Sequence, residues 1–430
     1  MQMKKPKKKI KETVIRSKQY DLAIIGAGPA GMMAAIRASE CGADVVLLEK
    51  NHTPGAKLLL TGKERCNITN AETDVMEFSA NFGKNGKFLI STLYRFGTKE
   101  TIDFFHKNEM KTITERGGRI FPEGGTAKDV QELFYRLIKK NNIALFTDCT
   151  INSISQKGNM IEKIILANRD EIKAKNYLLS TGGLSYPQTG STGDGYIWAK
   201  QMGHTIIQPE PALTPLFVKE KWMDEIGRLR LKNVMISVYQ DNKKQDSRFG
   251  EALISGSFLG GPIILDMSKK IGKLLKNGHT QLFIDFKPAL SFEKLDKRLL
   301  RDFEKHNKKG AKNILSELLP QKLIPIFLKL SKIDPLKKGR EITKEERNKL
   351  RLLLKQFPLT VKCLSGFNNA IITSGGISLK NIDPKTMRSK IIQNLFFAGE
   401  IIDMDGPTGG YNLQVCWSTG YFAGENAAES

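Results

Sequence analysis

The spacing of apolar residues changes character along this chain, and each change marks a new kind of element. Tyr20 to Ile25 is a continuous apolar run, Ala30 to Ala38 carries apolar residues at helical spacing, and Asp44-Val-Val-Leu-Leu-Glu49 is a second run without alternation. Unbroken Val and Leu fit a parallel strand buried on both faces, so this segment predicts strand, helix, strand. Helices are predicted over Thr98 to Asn108 and Lys128 to Asn141, the second after the turn-rich Gly117 to Gly125. From Ile143 to Ile172, short alternating runs broken at Lys157-Gly-Asn159 and Asn168-Arg-Asp170 predict a small antiparallel unit. Tyr177 to Thr181 then reads as one more core strand, stopping at Gly182-Gly183.

Past Pro209 the pattern shifts. Leu213 to Phe286 is rich in alternating stretches such as Val234 to Tyr239 and Gln281 to Phe286, which predict a compact β unit. Residues 291–355 return to helical spacing with many charges. After Phe357 the first style resumes: Ile371 to Gly376 and Leu395 to Gly399 read as strands that complete the sheet, covered by a last helix from Leu413 to Ala428. The expected organisation is a basic tail (1–19), the first part of a nucleotide-binding domain (20–208), an inserted β-rich unit (209–290), an inserted basic helical unit (291–356) and the C-terminal part of the first domain (357–430). At 430 residues the chain exceeds what one core usually supports, in keeping with such a division.

Two glycine-rich segments carry the chemistry. In Gly26-Ala-Gly28-Pro29-Ala30-Gly31 the first glycine allows a tight turn, the second lets the backbone approach a pyrophosphate, and the third lets helix and strand pack closely. Phosphates would sit on the helix N-terminus, where free N–H groups favour negative charge. Glu49, 18 residues beyond Gly31, stands close to the offset at which an acid meets the adenosine ribose; a 2′-phosphate would be repelled there. Far along the chain, Gly399-Glu400 follows an apolar run and can pass the pyrophosphate, with Asp403 in reach of ribityl hydroxyls. Thr408-Gly-Gly-Tyr-Asn412 then opens a helix whose N-terminus would face an isoalloxazine and stabilise its reduced, anionic form. A first segment that means only "dinucleotide" thus becomes, with the second, an expectation of FAD. No second Gly-x-Gly-x-x-Gly is present, so NADH or NADPH would dock transiently over the flavin.

Gly62-Lys-Glu-Arg65-Cys66-Asn67-Ile-Thr-Asn70, Ser180 to Gly195 and Gly409-Gly-Tyr-Asn-Leu-Gln414 resemble the signatures of the aminoacetone oxidase family of FAD-binding enzymes, with its BaiN-type NAD(P)/FAD-dependent oxidoreductases. The resemblance runs from about Asp21 to Gly424. It implies an α/β, FAD-binding Rossmann-like fold of the two-dinucleotide-binding-domain flavoprotein type, with an inserted β-barrel-like unit and a helical unit. It also implies that Lys57, Leu58, Arg65, Cys66 and Asn67 lie along the FAD beside Thr181, Gly182 and Gly183, and extends the cofactor-binding set to Pro29, Ala30, Lys50, Asn412, Leu413 and Gln414. Arg65 would pair with a phosphate. Cys66 is read as packing, with thiol chemistry beside the flavin as the alternative. Tyr186 and Tyr411 are candidate proton donors or loop anchors, whereas Trp198 and Trp417 are expected in the core. Where related sequences show a histidine before a Gly-Pro strand, this chain has Gly256, and Asn381 stands where an acid often precedes Ile-Asp-Pro.

Five scattered cysteines without a Cys-x-x-Cys pair and five dispersed histidines argue against a disulfide framework, a dithiol centre or a metal site. No apolar run reaches the ~18 residues of a membrane span, and the lysine-rich start is unlike a secretory signal, so a cytoplasmic protein is expected. The formal net charge is +23, of which residues 1–20 hold +7 and residues 291–355 hold +10. The excess sits away from the glycine motifs. A solvated lysine-rich surface explains it, with an RNA-associated flavoprotein as the alternative. The expected function is hydride transfer between bound FAD and a small organic substrate, with NAD(P)H or O₂ as second partner.

Overall fold

The computed structural model describes residues 18–430; the first 17 residues of the expected basic tail lie outside the described residues. Two compact units emerge, one made of residues up to 211 together with 371–430, the other of 212–370.

In the first unit, β1 (Gln19–Ile25) leads through α1 (Pro29–Glu40) to β2 (Val45–Leu48), which pairs with it in parallel, Leu22 opposite Val45. All four residues of β2 are buried, as an unbroken apolar run requires. Pro29 starts α1 at a position where its missing N–H costs nothing. On the outer side of β2 lies β3 (Ala144–Phe146), also parallel. This corrects the reading of Ile143 to Ile172 as wholly antiparallel: only β4 (Ile151–Lys157) and β5 (Met160–Leu166) form the hairpin. A three-residue strand carries too little alternation to announce its direction.

The long β6 (Glu171–Leu179) borders β1 on its other side and has two partners along its far edge. Its first half pairs with β5, antiparallel; its last three residues pair with β7 (Leu395–Phe397), parallel. Buried Asn394 stitches the two, its side chain accepting from Ile161 N–H (2.8 Å) and donating to Ile161 C=O (2.9 Å). The result is a seven-stranded sheet in the order β3-β2-β1-β6-β5-β4, with β7 beside β6. The segment Ile372–Ile377 does not complete that sheet; it pairs with Ile206–Ala212 in a two-stranded one. After α2 (Asp194–Gln201), the chain therefore leaves and re-enters this unit on neighbouring strands.

The closing helix α3 (Tyr411–Ala428) lies directly on α1. Gly420 and Gly424 make this possible, since a Cβ on either would stand 2.3 Å from the carbonyl oxygen of Ala30 or Ala34. Trp417 is fully buried, stacks on Phe134 at 5.0 Å and donates its indole N–H to Ile68 C=O (3.0 Å).

The second unit is a closed six-stranded barrel with helices packed into one continuous core. Phe357–Leu364 is its last strand, pairing with Thr280–Asp285, Leu282 opposite Leu359. The expected return at 357 therefore comes too early: that strand belongs to the insertion, which ends at 370. Nor are the β-rich and helical parts separate. Phe327, from a helix, stacks on Phe357 of the barrel at 5.1 Å, and Phe286 lies 5.5 Å from each.

Candidate functional site

Because β1, β6 and β7 are parallel neighbours, their carboxyl ends deliver three turns to one edge of the sheet: Gly26-Ala27-Gly28, Ser180-Thr181-Gly182 and Ala398-Gly399-Glu400. That edge is where parallel α/β sheets hold their ligands. Gly26 has φ +98°, and a Cβ there would stand 2.7 Å from Ser180 C=O; a Cβ on Gly31 would stand 1.9 Å from Gly26 C=O. Protein packing alone thus demands these two glycines. Gly28 is different, since a Cβ there meets nothing within 4 Å. It borders a cleft at that edge of the sheet.

The cleft's charged groups are held by the protein. Glu49, at the end of β2 and 7% exposed, accepts Ala27 N–H on Oε2 (2.9 Å) and Asn51 N–H on Oε1 (2.8 Å). A carboxylate offers about four acceptor positions, so this one keeps capacity for a vicinal diol while its orientation is fixed. Lys57 donates to Glu400 Oε2 (2.6 Å), and Glu400 Oε1 accepts Thr373 N–H (2.9 Å). Lys50 bonds Thr192 and pairs with Asp194 of α2 (2.8 Å). Burial pushes the Cys416 thiol up to about 12 and Cys149 to about 11, so both cysteines of the lining are neutral at physiological pH.

Of the residues predicted from sequence, the cleft is lined by Gly26, Gly28, Pro29, Ala30, Glu49, Lys50, Lys57, Thr181, Gly182, Gly399 and Glu400. Gly31 and Gly183 act behind the wall. A Cβ on Gly183 would stand 2.3 Å from Thr373 Oγ1, which accepts Leu184 N–H (2.8 Å). Leu58 is buried in the core, and Asp403 donates its N–H to Ile377 C=O (3.0 Å).

The structure gives several others different work. Arg65 donates to Glu115 (2.6 Å) and lies 4.3 Å over the Phe121 ring, and it is not among the residues that line the cleft. Cys66 is fully buried and burial pushes its thiol up to about 12, which supports packing over catalysis. Asn412 staples its own loop, donating to Gly406 and Pro407 C=O (3.0 and 3.1 Å) and accepting Gly406 N–H (2.8 Å). Leu413 packs on the core. Gln414 is buried among Thr69, Thr101 and Ser418, with bonds of 2.6 to 2.8 Å, so its amide holds α3 in place. Tyr411 packs against Phe78 (4.9 Å). Gly256 has φ +59° and Asn381 accepts Thr205 N–H (2.8 Å), both structural uses.

Sequence reasoning missed part of the wall. Gly55-Ala56, Cys149 to Ile151, Thr189 to Ser191, Asp194 and Cys416 all line the cleft, and so does Trp198, which is half-buried and not the core residue expected. The glycines and hydroxyls of Thr189-Gly-Ser-Thr-Gly-Asp194 were a usable signal, but Cys149 and Cys416 reach the cleft only through the fold. Among the described residues one group, Cys41, Glu425 and Glu429, is close enough to suggest metal donors. Glu425 is already committed to Arg37 and Arg95 (2.6 Å to the latter).

These residues fit FAD on structural grounds. Gly28 opens onto the cleft without steric need from the protein, Glu49 presents oriented acceptors, and the buried Thr181 Oγ1 on the lining has no protein partner; Asn67 Oδ1 is likewise unpartnered but is not among the lining residues. A Rossmann-like mixed sheet with this cleft at the switch point of its parallel strands defines an FAD-binding flavoprotein, an FAD-dependent oxidoreductase. The chain belongs to the HI0933-like protein Rossmann domain family, which matches residues 20–426.

A 3-dehydro-bile acid delta(4,6)-reductase of Clostridium scindens is 32% identical over 413 residues, spanning 95% of this chain and 99% of that one. A ribosomal RNA dihydrouridine synthase of Haemophilus influenzae is 26% identical over 402 residues, 93% of this chain and 96% of that one. Among solved structures the chain resembles the 3-ketosteroid-delta4-(5alpha)-dehydrogenase of Rhodococcus jostii, with a TM-score of 0.51, 15% identity and 96% of each chain covered, a likeness of fold. No helix among the described residues is long and apolar enough to cross a membrane.

Proposed function

We propose that this oxidoreductase reduces a carbon–carbon double bond conjugated with a carbonyl in a small organic substrate, with NADH or NADPH docking transiently as electron donor. The observation that carries the reading is the single cleft on which the turns after β1, β6 and β7 converge. The names of the two full-length relatives support the reaction class: a 3-oxo delta(4,6) system and the uracil ring of uridine both present an alkene conjugated with a carbonyl. Bound FAD, once reduced by NADH or NADPH, would supply two electrons and one hydrogen as hydride. The second hydrogen arrives as a proton, which the protein must provide.

In this reading Gly28 and the start of α1 receive the pyrophosphate, Glu49 holds the adenosine ribose, and Lys57 neutralises Glu400 where the phosphates pass. Thr181 Oγ1 completes its hydrogen bonding on the cofactor. Tyr186 and Tyr411 are the candidate proton donors. Burial raises both phenols above the usual tyrosine value, which keeps them protonated.

The test is anaerobic mixing of the FAD-loaded protein with NADH and with NADPH, followed at the oxidised flavin band. Bleaching by one of them, reversed by a conjugated enone, is the expected result; bleaching only by an amine would make the protein an oxidase and overturn the proposal. A second reading, uridine in RNA as substrate, is supported by the H. influenzae relative and by the concentrated positive charge. Reoxidation by a uridine-rich RNA, with a two-dalton mass gain on the base, would favour it.

A further inference from the structure

The helix Phe292–Lys305 of the inserted unit buries Leu295, Leu299 and Phe303 on one side. Placed on a helical wheel, Lys294, Lys297, Arg298, Arg301 and Lys305 fall within roughly 100° of the circumference, on the side away from that buried stripe. No acid interrupts them; Glu293 and Glu304 lie at one margin. The stripe continues past the helix into exposed Lys308, Lys309 and Lys312, and Lys338 is brought alongside by the bridge between Gly310 and Lys338.

A merely solvated face needs no internal support, and this one has it. Asp302 is 5% exposed and lies under two of the cations, 3.4 Å from Arg298 and 3.7 Å from Arg301. Burying a carboxylate is costly unless it is paired. Here it braces two guanidinium groups at the surface, and such planar forks match phosphate oxygens.

The geometry points to an RNA-binding surface formed by the outward face of Phe292–Lys305 and the lysines that follow it, reading the phosphate backbone without base specificity. The choice of RNA over other polyanions rests on the second reading above, through the ribosomal RNA relative that matches along almost the whole chain.

The experiment uses the full chain loaded with FAD and a fluorescein-labelled single-stranded RNA, with affinity measured by anisotropy across a salt series. The triple variant Lys294→Glu, Arg301→Glu, Lys305→Glu is compared with a charge-matched one on the first unit, Lys84→Glu, Lys107→Glu, Lys140→Glu, and with the milder Lys294→Gln, Arg301→Gln, Lys305→Gln. The stripe reversal is expected to weaken binding about tenfold or more and to lower the log–log salt slope by about 2, as loss of three single-strand phosphate contacts requires. The glutamine variant should fall between it and the parent, and the charge-matched variant should stay within about twofold of the parent.

Equal losses in the stripe and charge-matched variants, or no loss in either, would overturn the proposal. So would a stripe variant that keeps its RNA affinity while losing binding to phosphatidylglycerol vesicles. Uridine reduction is read separately by mass. RNA bound through the stripe but never reduced would retire RNA as substrate and leave the surface standing; RNA reduced by a stripe variant of unchanged affinity would do the reverse.

Discussion

Glycine by glycine, the dinucleotide turn separates what the fold needs from what the ligand needs. Gly28 has φ −76°, which any residue adopts, and its missing side chain faces only the cleft. Gly28→Ala should therefore cost the fold no more than about 1 kcal/mol while weakening FAD binding about tenfold, read by a denaturant melt and by flavin titration. Gly31→Ala should lose stability first, because its Cβ would drive into Gly26 C=O. At the other end of α1, Glu425 is held below the usual carboxylate range, chiefly by its bonds to Arg95 and then Arg37. A carboxyl depressed in the folded state stabilises above its unfolded pKa and loses that contribution as pH falls through the folded value. Glu425→Gln should cost about 3 kcal/mol at neutral pH, and the gap to the parent should close as the pH drops below about 4, measured by urea melts at each pH.

Among elements, the contact of α3 with α1 decides whether the two ends of the chain form one domain. It depends on Gly420 and Gly424 lying against the backbone of Ala30 and Ala34. Gly424→Val should push the helices apart, cost about 1 to 3 kcal/mol, and loosen FAD in the same preparation, since Gly28 caps the start of α1. A thermal shift without any change in FAD affinity would show that the helix contact is only mechanical. Periodicity revealed these helices because their apolar faces are long. It missed the direction of β3 and the home of Phe357–Leu364, because a short strand shows its burial but not its partner.

At the scale of the whole molecule, the described residues form two cores with no shared cluster: one under the mixed sheet, one inside the barrel and its helices. A ligand that binds only the folded form of one core should raise the transition of that core alone. Calorimetry of the full chain with increasing FAD is expected to show one transition moving up while the other holds its temperature. A single transition shifting as a unit would mean that the cores unfold together.

The sequence by itself determined the cofactor class, the strand-helix-strand opening, the late return of the chain and most of the cleft's glycine-lined wall, because those depend on local backbone demands that residue type expresses directly. Only the tertiary structure decided which residues face the cleft. Gln414, Asn412 and Arg65 stand in or beside the glycine motifs yet spend their polar groups on protein partners, while Cys149, Trp198 and Cys416 line the cleft from segments without a motif. The physical reason is that a side chain's hydrogen bonds are shared out among neighbours brought together by folding, and a linear motif does not say which neighbour arrives first.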